Sequence, residues 1–421
     1  MRIVATLMVR DEVDVVAAVV EHHLGQGIDA LVVTDNGSVD GTAEVLQSYA
    51  DRGLVELHRD PVHRKQQSEV VTRMARRART RFAADWVLNI DADEFWVPVD
   101  RSLDLRQALE RTPLSLNAFT VPVTNLVGSA SQPGSWAKRL LYRDQRSAEE
   151  LLGVGVHAHP TPDAVHRGES DVVVAQGNHF VSLASNGQPD PAVAIEVLHV
   201  PWRSWAQVER KVVHAGRAYE SNPDLRPSPR HHGMADYRRH AAGRLLHLYA
   251  LRLPPQESLE EGVARGSFVE DTWLRDHLRA LVEEGRAHQP ELLAPLLADV
   301  PADLEPERHA DLVETGALLT ALERETADAL EQSRETMRLA RRLGSERDSA
   351  RRALEEARSE RRELARRLAR QEKASPPPVA DDVRRVGARV LTGVRRRAGR
   401  LRRVVRARAR AATGRPSRPR G

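Results

Sequence analysis

Three carboxylates fall within four residues in the segment Trp86–Trp96, WVLNIDADEFW, where an apolar run leads straight into Asp91, Asp93 and Glu94. At the end of a buried strand such acids repel one another, so the cluster is costly unless a cation or a set of hydrogen-bond donors sits among them. Asp91 and Asp93 are two residues apart and so project to the same side of the strand exit. Both can reach one Mg²⁺ or Mn²⁺ that also holds phosphate oxygens. An EF-hand would need more oxygen ligands and a glycine at its sixth position. A second segment, VVTDNGSVDGT, again runs from an apolar strand into polar residues. Asp35 at its tip can accept hydrogen bonds from a base or a ribose hydroxyl. Asn36, Gly37 and Ser38 form a turn, and Asp40 or Thr42 caps the next helix. Taken singly, the first segment points to a metal before exposed acids, whereas the second reads first as a well-made turn with a cap. The pair together is far more specific.

The elements that must position these residues can be read from periodicity. Residues 1 to about 95 alternate short apolar runs with amphipathic stretches, the pattern of successive βαβ units around a parallel sheet. Strands are predicted at Ile3–Val9, Ala30–Thr34, Val55–His58 and Trp86–Ile90. The helices between them are predicted at Val13–Gln26, Thr42–Ala50 and Gln67–Phe82, the last with Val70, Val71, Met74 and Ala78 inward. Right-handed crossovers then carry Asp35 and the acid cluster to one edge. From 115 to 200 the sequence turns strand-like between Gly and Pro, and helical patterns resume at Ser204–Tyr219 and again from 234 to 310. The expected organisation is a catalytic domain over 1–255, a helical extension over 256–317, a long charged helix over 318–373, and a proline break with an Arg-rich tail over 374–421.

The runs TLMVRDEVDVV, EHHLGQGID, TDNGSVDGT and NIDADEFW resemble the family 2 glycosyltransferases of the GT-A fold, in particular the soluble bacterial branch with DNxSxDGT and DADEF motifs. The resemblance covers residues 1 to about 250. It implies an α/β, Rossmann-like fold with a mostly parallel sheet flanked by helices. It also implies a transferase that moves a sugar from a nucleotide-sugar donor, UDP-sugars first, to a glycan or lipid-linked acceptor hydroxyl with inversion, and a place in cell-envelope or exopolysaccharide synthesis. By position, Thr6, Arg10, Glu12, Asp35, Asn36 and Ser38 would face the nucleotide-sugar. Asp93 would bind Mn²⁺ or Mg²⁺ directly, and Asp91 the ribose or the same metal. A late histidine often completes such metal sites; His199 is the first candidate and His179 the second. Lys138 and Arg139 would contact the diphosphate. Trp202 and Trp205 would stack on a sugar or pack in the core. A carboxylate must take the acceptor's proton. The Glu-Asp pair that many relatives carry roughly a hundred residues past the DxD is missing from that window, and Glu270-Asp271 comes too late, which leaves Glu169, Asp171, Asp190 and Glu196; Glu196 is preferred for its closeness to His199, and Asp190 is kept beside it.

Competing readings are a metal-dependent hydrolase built from Asp91, Asp93, His159 and His199, and a ligand-binding scaffold that acts through its helix and tail. The hydrolase lacks the usual Asp and His near the first strand. A nucleotidyltransferase would need a glycine-rich phosphate loop, and RIVATLMVRDE has no glycine. Composition narrows the field further. The 421 residues contain no cysteine, which excludes disulfides, thiolate metal sites and a cysteine nucleophile, and fits a cytoplasmic protein. Only four of the 64 basic residues are lysine. The net charge of +4 hides fifteen arginines and no acid between Val383 and Gly421, so the preceding residues sum to about −11. Valines and leucines spaced through 383–410 suit an anionic membrane surface, reached from the inner face, or a tail with no partner. No specific nucleic acid is expected, since the tail lacks aromatic stacking platforms. Residues 318–373 hold 27 charged residues and an apolar seam interrupted by Arg and Ser, which predicts a coiled coil and homo-oligomer or a single-helix spacer. No run reaches the roughly 18 apolar residues of a membrane span, and the opening residues read as a strand rather than a signal peptide.

Overall fold

In a computed structural model, residues 1–62, 66–220 and 232–374 are described. The proline-rich segment after Glu220 and the basic tail expected to meet a membrane lie outside them. Strand β1 (Ile3–Val9), helix α1 (Val16–Gly25), β2 (Ala30–Asp35), α2 (Thr42–Asp51), β3 (Val55–Arg59), α3 (Gln67–Phe82) and β4 (Trp86–Ile90) come in turn. Then come β5 (Glu94–Pro98), α4 (Leu105–Arg111), β6 (Ala118–Val121), β7 (Val123–Val127), α5 (Trp136–Arg139), β8 (Tyr142–Asp144), α6 (Ala148–Gly153), β9 (Asp163–Arg167) and β10 (Ile195–His199). The rest is mainly helical: α7 (Trp205–Glu220), α8 (His232–Ala241), α9 (Leu245–Arg252), α10 (Gln256–Arg265), the short β11 (Phe268–Glu270), α11 (Trp273–Glu283), α12 (Pro290–Leu293) and α13 (Pro306–Ala374).

Two sheets result. The first has the order β3-β2-β1-β4-β9-β6, with its first four strands parallel and β9 antiparallel to both neighbours. The second has the order β11-β8-β7-β10-β5 and is antiparallel except where β10 runs parallel to β7. This is the mixed α/β architecture, with a helical C-terminal region, that the sequence predicts. The β-rich stretch divides: β6 and β9 extend the first sheet, and the others build the second.

Alternation along the parallel strands explains the layering. Ile3, Ala5, Leu7 and Val9 of β1, Leu31 and Val33 of β2, and Trp86, Leu88 and Ile90 of β4 turn to the main core beside α1. Val4, Val32 and Val87 turn the other way onto Val70, Val71, Met74 and Ala78 of α3. Each such fully buried aliphatic side chain contributes about 1.5–3 kcal/mol relative to exposure.

The compact unit runs from Met1 to Ala327, past the boundary expected at 255. The reason is packing. Leu274, Leu278 and Leu281 of α11 enter the core beside α1. The buried Glu21 carboxylate accepts from Tyr49 Oη at 2.9 Å and from the backbone N–H groups of His288 and Gln289 at 2.8 and 2.7 Å. His309 bonds Ser131 Oγ at 2.9 Å and the Ala250 carbonyl at 3.2 Å. The second unit begins at Asp328. Its described part is one helix in which Leu330, Met337, Leu343, Leu354, Leu364 and Leu368 are all more than half exposed. Pairs such as Arg342–Glu346, Arg351–Glu355 and Glu363–Arg367, four residues apart, support it. Among the described residues no helix is long and apolar enough to cross a membrane.

Candidate active site

The parallel strands end side by side: Val9 pairs with Asp35 and Leu7 with Ile90. The crevice outside the carboxyl ends of β1 and β4, where the strand order reverses, is where open α/β sheets bind ligands. The tip of β1 turns sharply through Asp11, a non-glycine residue at φ 54°. Its carboxylate accepts from Val39 N at 2.8 Å, and its own N–H donates to Ser38 Oγ at 3.0 Å. Gly37, at φ 71°, gives the adjoining loop its left-handed turn. Asn36 donates to the carbonyls of Asp60 and Val62, both at 2.9 Å, and Arg10 donates to the Asn36 carbonyl at 2.6 Å. Asn36 and Ser38 therefore hold the loop in shape. Among the described residues the buried Asp35 carboxylate accepts only the Ser38 N–H, at 3.3 and 3.4 Å to its two oxygens, and keeps capacity for a ligand.

Asp93 lies at the exit of β4 and is 3% exposed. Its Oδ2 is 2.5 Å from Lys211 Nζ, 3.4 Å from His199 Nε2 and 3.6 Å from an Arg203 nitrogen. Burial alone would raise its pKa, but Lys211, His199 and Arg203 outweigh burial and hold it well below the usual carboxylate range. Glu12 shares these cations, pairing with Arg203 and lying 3.5 Å from Lys211, while Asp14 takes Arg203 Nε at 2.7 Å. Arg203 and Lys211 come from the loop before α7 and from α7 itself. Sequence reasoning passed over both, because nothing in VPWRSW or VERKVV distinguishes them from ordinary surface cations.

His199 ends β10 with Nδ1 2.8 Å from Asn125 Oδ1. That oxygen can only accept, so Nδ1 carries a proton, and Nε2 is turned toward Asp93. In the neutral imidazole, Nε2 and the Asp93 carboxylate are two ligand atoms 3.4 Å apart. Among the described residues no three His, Asp or Glu side chains converge as a metal cage. The donor set of Asp93 and His199 fits a divalent ion that completes its shell with ligands from outside the protein.

Asp91 points elsewhere. Its Oδ1 accepts from Gln67 Nε2 at 3.0 Å and Asn178 Nδ2 at 2.9 Å. Burial, together with the charges of Asp93 and Asp163, pushes its pKa up to about 6. Glu94 is raised well above its usual value by burial and by Asp163 and Asp91. Asp163 was not among the acids singled out from the sequence, because TPDAVHR offers no motif; only the pairing of β9 with β4 brings it here.

Several expected site residues lie apart from this crevice. Thr6 is fully buried inside the sheet, where its hydroxyl donates to Asn89 Oδ1 at 2.7 Å, so it does not face a nucleotide. Glu196 sits on the opposite face of β10 from His199, with both oxygens tied to Arg143 and one also to Arg101 at 2.6 Å; it is a structural anchor and not a free base. Asp190 is exposed and caps a short 3-10 turn by accepting from Ala192 N at 2.9 Å. Lys138 is paired with Asp299, and Arg139 is buried against the carbonyls of Gly134, Ser129 and Arg203. His159 bonds the Arg146 carbonyl at 2.7 Å, which removes it from any metal set with Asp93. Trp205 packs edge-on to Tyr249, and Trp202 lies under the Arg252 guanidinium.

Residues 4–140 match glycosyltransferase family 92. The match spans about a third of the chain and contains the tips of β1, β2 and β4 with Asp35, Asp91 and Asp93. No curated protein matches. Among solved structures, S. aureus TarS 1–349 in complex with UDP is similar at 13% identity over 77% of this chain and 92% of that one, with a TM-score of 0.30. Glucosyl-3-phosphoglycerate synthase from Mycobacterium tuberculosis, in complex with Mn²⁺, UDP and glucosyl-3-phosphoglycerate, is similar at 17% identity over 39% of this chain and 56% of that one, with a TM-score of 0.23. These scores are too low for either likeness to bear on function.

Proposed function

We propose that this chain is a metal-dependent glycosyltransferase that takes its sugar from a nucleoside-diphosphate sugar, of the kind the family 2 motifs resemble. The observation that carries the reading is the pairing of Asp93 with His199 Nε2 at 3.4 Å, at the carboxyl edge of β4 and beside Asp35. The family 92 match over residues 4–140 supports it. In this reading Asp35 takes the base or ribose, Asp91 the ribose side of the diphosphate, and Asp93 with His199 a Mn²⁺ or Mg²⁺ ion. The metal, when bound, supplies positive charge to the departing diphosphate. Arg203 and Lys211 keep the Asp93 carboxylate ionised and positioned, and a metal held by Asp93 and His199 would take the place of the Lys211 ammonium. Arg10, half-exposed at the tip of β1, lies on the nucleotide side.

The test is calorimetry with UDP-, GDP- and dTDP-sugars, with and without Mn²⁺, on the wild type and on His199→Ala. One nucleotide class should bind in the presence of metal, and the metal dependence should be lost in the variant. No donor binding by the wild type sinks the reading. The exposed apolar residues of the 328–374 helix belong to the same proposal as a self-association seam, which light scattering of the full chain checks: a monomer across the concentration range would reject it.

A further inference from the structure

The reaction proposed above still needs a group to take the acceptor's proton, and Glu196 and Asp190 are both spent elsewhere. The structure places a different pair beside Asp91. Continuing the register in which Leu88 of β4 pairs with Val165 of β9 sets Asp163 next to Ile90, one residue before Asp91. Asp163 is 1% exposed. Its Oδ1 lies 2.8 Å from Nδ1 of His179, and its Oδ2 is buried with no hydrogen-bond partner among the described residues. An ionised carboxylate can only accept, so Nδ1 of His179 carries a proton, which in the neutral imidazole leaves Nε2 as an acceptor. His179 is half-exposed, and no described residue bonds its Nε2.

The loop that carries His179 is built to stay in place. Val174 and Val181 form an antiparallel bridge, Ala175 N donates to the Phe180 carbonyl at 2.8 Å, and Gly177 and Asn178 take left-handed conformations at φ 84° and 63°. A Cβ on Gly177 would come within 3.0 Å of His179 Nε2, so glycine keeps that nitrogen clear. The turn is fastened to α3 by Ser68 Oγ, which donates to the Val174 carbonyl at 2.6 Å. It is fastened to the acid cluster by Asn178, which donates to Asp91. Next to the histidine, Phe180 is 65% exposed, its ring edge-on to the imidazole with centroids 6.5 Å apart. An exposed aromatic face beside a free imidazole nitrogen suits a sugar ring with its hydroxyl turned inward.

We propose that His179, oriented by Asp163, is the general base of the transfer reaction, and that Phe180 is a platform for a carbohydrate acceptor. The proposal rests on the transferase reading. Nε2 of neutral His179 takes the proton of the acceptor hydroxyl as its oxygen bonds to the anomeric carbon. The bond from that carbon to the diphosphate oxygen breaks, and the electron pair leaves with the nucleoside diphosphate. The imidazolium is held by the Asp163 carboxylate until it gives its proton to water. Asp163 is a positioning residue, since it acts through His179.

The experiment measures nucleoside-diphosphate release by the full chain from UDP-, GDP- and dTDP-sugars with Mn²⁺, using p-nitrophenyl glycosides and water as acceptors, with donor affinity followed by calorimetry. His179→Ala should bind donor with wild-type affinity, turn over about 100-fold or more slowly, and recover on addition of imidazole. Asp163→Asn should lower kcat with little change in donor affinity, and Phe180→Ala should raise KM for the glycoside. A folded His179→Ala protein that transfers within threefold of wild type overturns the base assignment. So does a loss that imidazole does not relieve, which would make His179 structural. A wild type that binds none of the donors defeats the transferase reading itself, before any variant is compared.

Discussion

At the scale of single residues, the acid cluster behaves differently from what its sequence suggests. Read as a string, DADE is a set of like charges that any one substitution would relieve. In the fold, Asp93 is surrounded by Lys211, Arg203 and His199, and Arg203 is itself completely buried. Asp93→Ala should therefore destabilise the protein by about 3–5 kcal/mol, because it leaves a buried guanidinium with one partner fewer. A thermal midpoint equal to wild type would show that Glu12 and Asp14 suffice to hold Arg203. Glu196 teaches the converse. Three residues from His199 on one strand, it must face away, and the arginines that claim it come from distant elements, Arg101 and Arg143. The tips of the first strands were legible because motif and periodicity coincide there. Of the partners of those tips, His179 stood out only as a second metal histidine, and Asp163, Arg203 and Lys211 did not stand out at all, because they come from 70 to 120 residues further along the chain through pairings that no local pattern encodes.

At the scale of elements, β1, α3 and β4 have the bounds the periodicity predicts, since each has a face that alternates or repeats without interruption. Helix α1 begins three residues later than predicted, after the turn at Asp11. The pattern turns His23 inward, but it does not show that α1 buries His22 beside it. His22 and His23 pack against each other at 4.8 Å, and His22 meets His277 of α11 at 5.1 Å, with His277 stacked on Trp273. Burial lowers all three pKa values, to about 4 for His23 and His277, and does the same for His166 in β9. The unfolded chain binds these protons near pH 6.5, and the folded chain only at lower pH, near 4 for His23, His166 and His277. Stability should thus be flat above pH 7 and should fall as pH drops from 6.5 towards 4, by about 1.4 kcal/mol per pH unit for each histidine. Asp91, raised to about 6, works in the opposite direction over the lower part of that window, and Glu94, raised well above its usual value, works with it. Denaturant titrations from pH 8 to 4.5 on wild type and His277→Phe check the claim. Equal slopes in the two proteins would refute it.

At the scale of the whole molecule, the sequence suggests a catalytic body that could be cut before the long helix, and the packing moves that cut. His309, Thr320 and Gly316 of α13 are fitted against the body, the glycine so closely that a Cβ would lie 2.9 Å from Leu251. A chain ending at Ala327 should unfold at the wild-type midpoint, whereas one ending at Glu305 should unfold about 5 °C or more lower. Equal midpoints for the two truncations would contradict this account of the boundary. The composition of the whole chain also gives the ion pair at Asp93 a practical use. With only four lysines in 421 residues, amine-directed acylation has few targets, and one of them, Lys211, stands at the proposed metal position. Burial disfavours its ammonium, but Asp93 and Glu12 outweigh that and raise its pKa, so it should resist acylation in the free protein. Once Mn²⁺ and a donor occupy the carboxylates, the amine loses that hold. The rate of mass gain at residue 211, read by peptide mapping, then becomes an occupancy gauge that needs neither an acceptor nor a turnover assay.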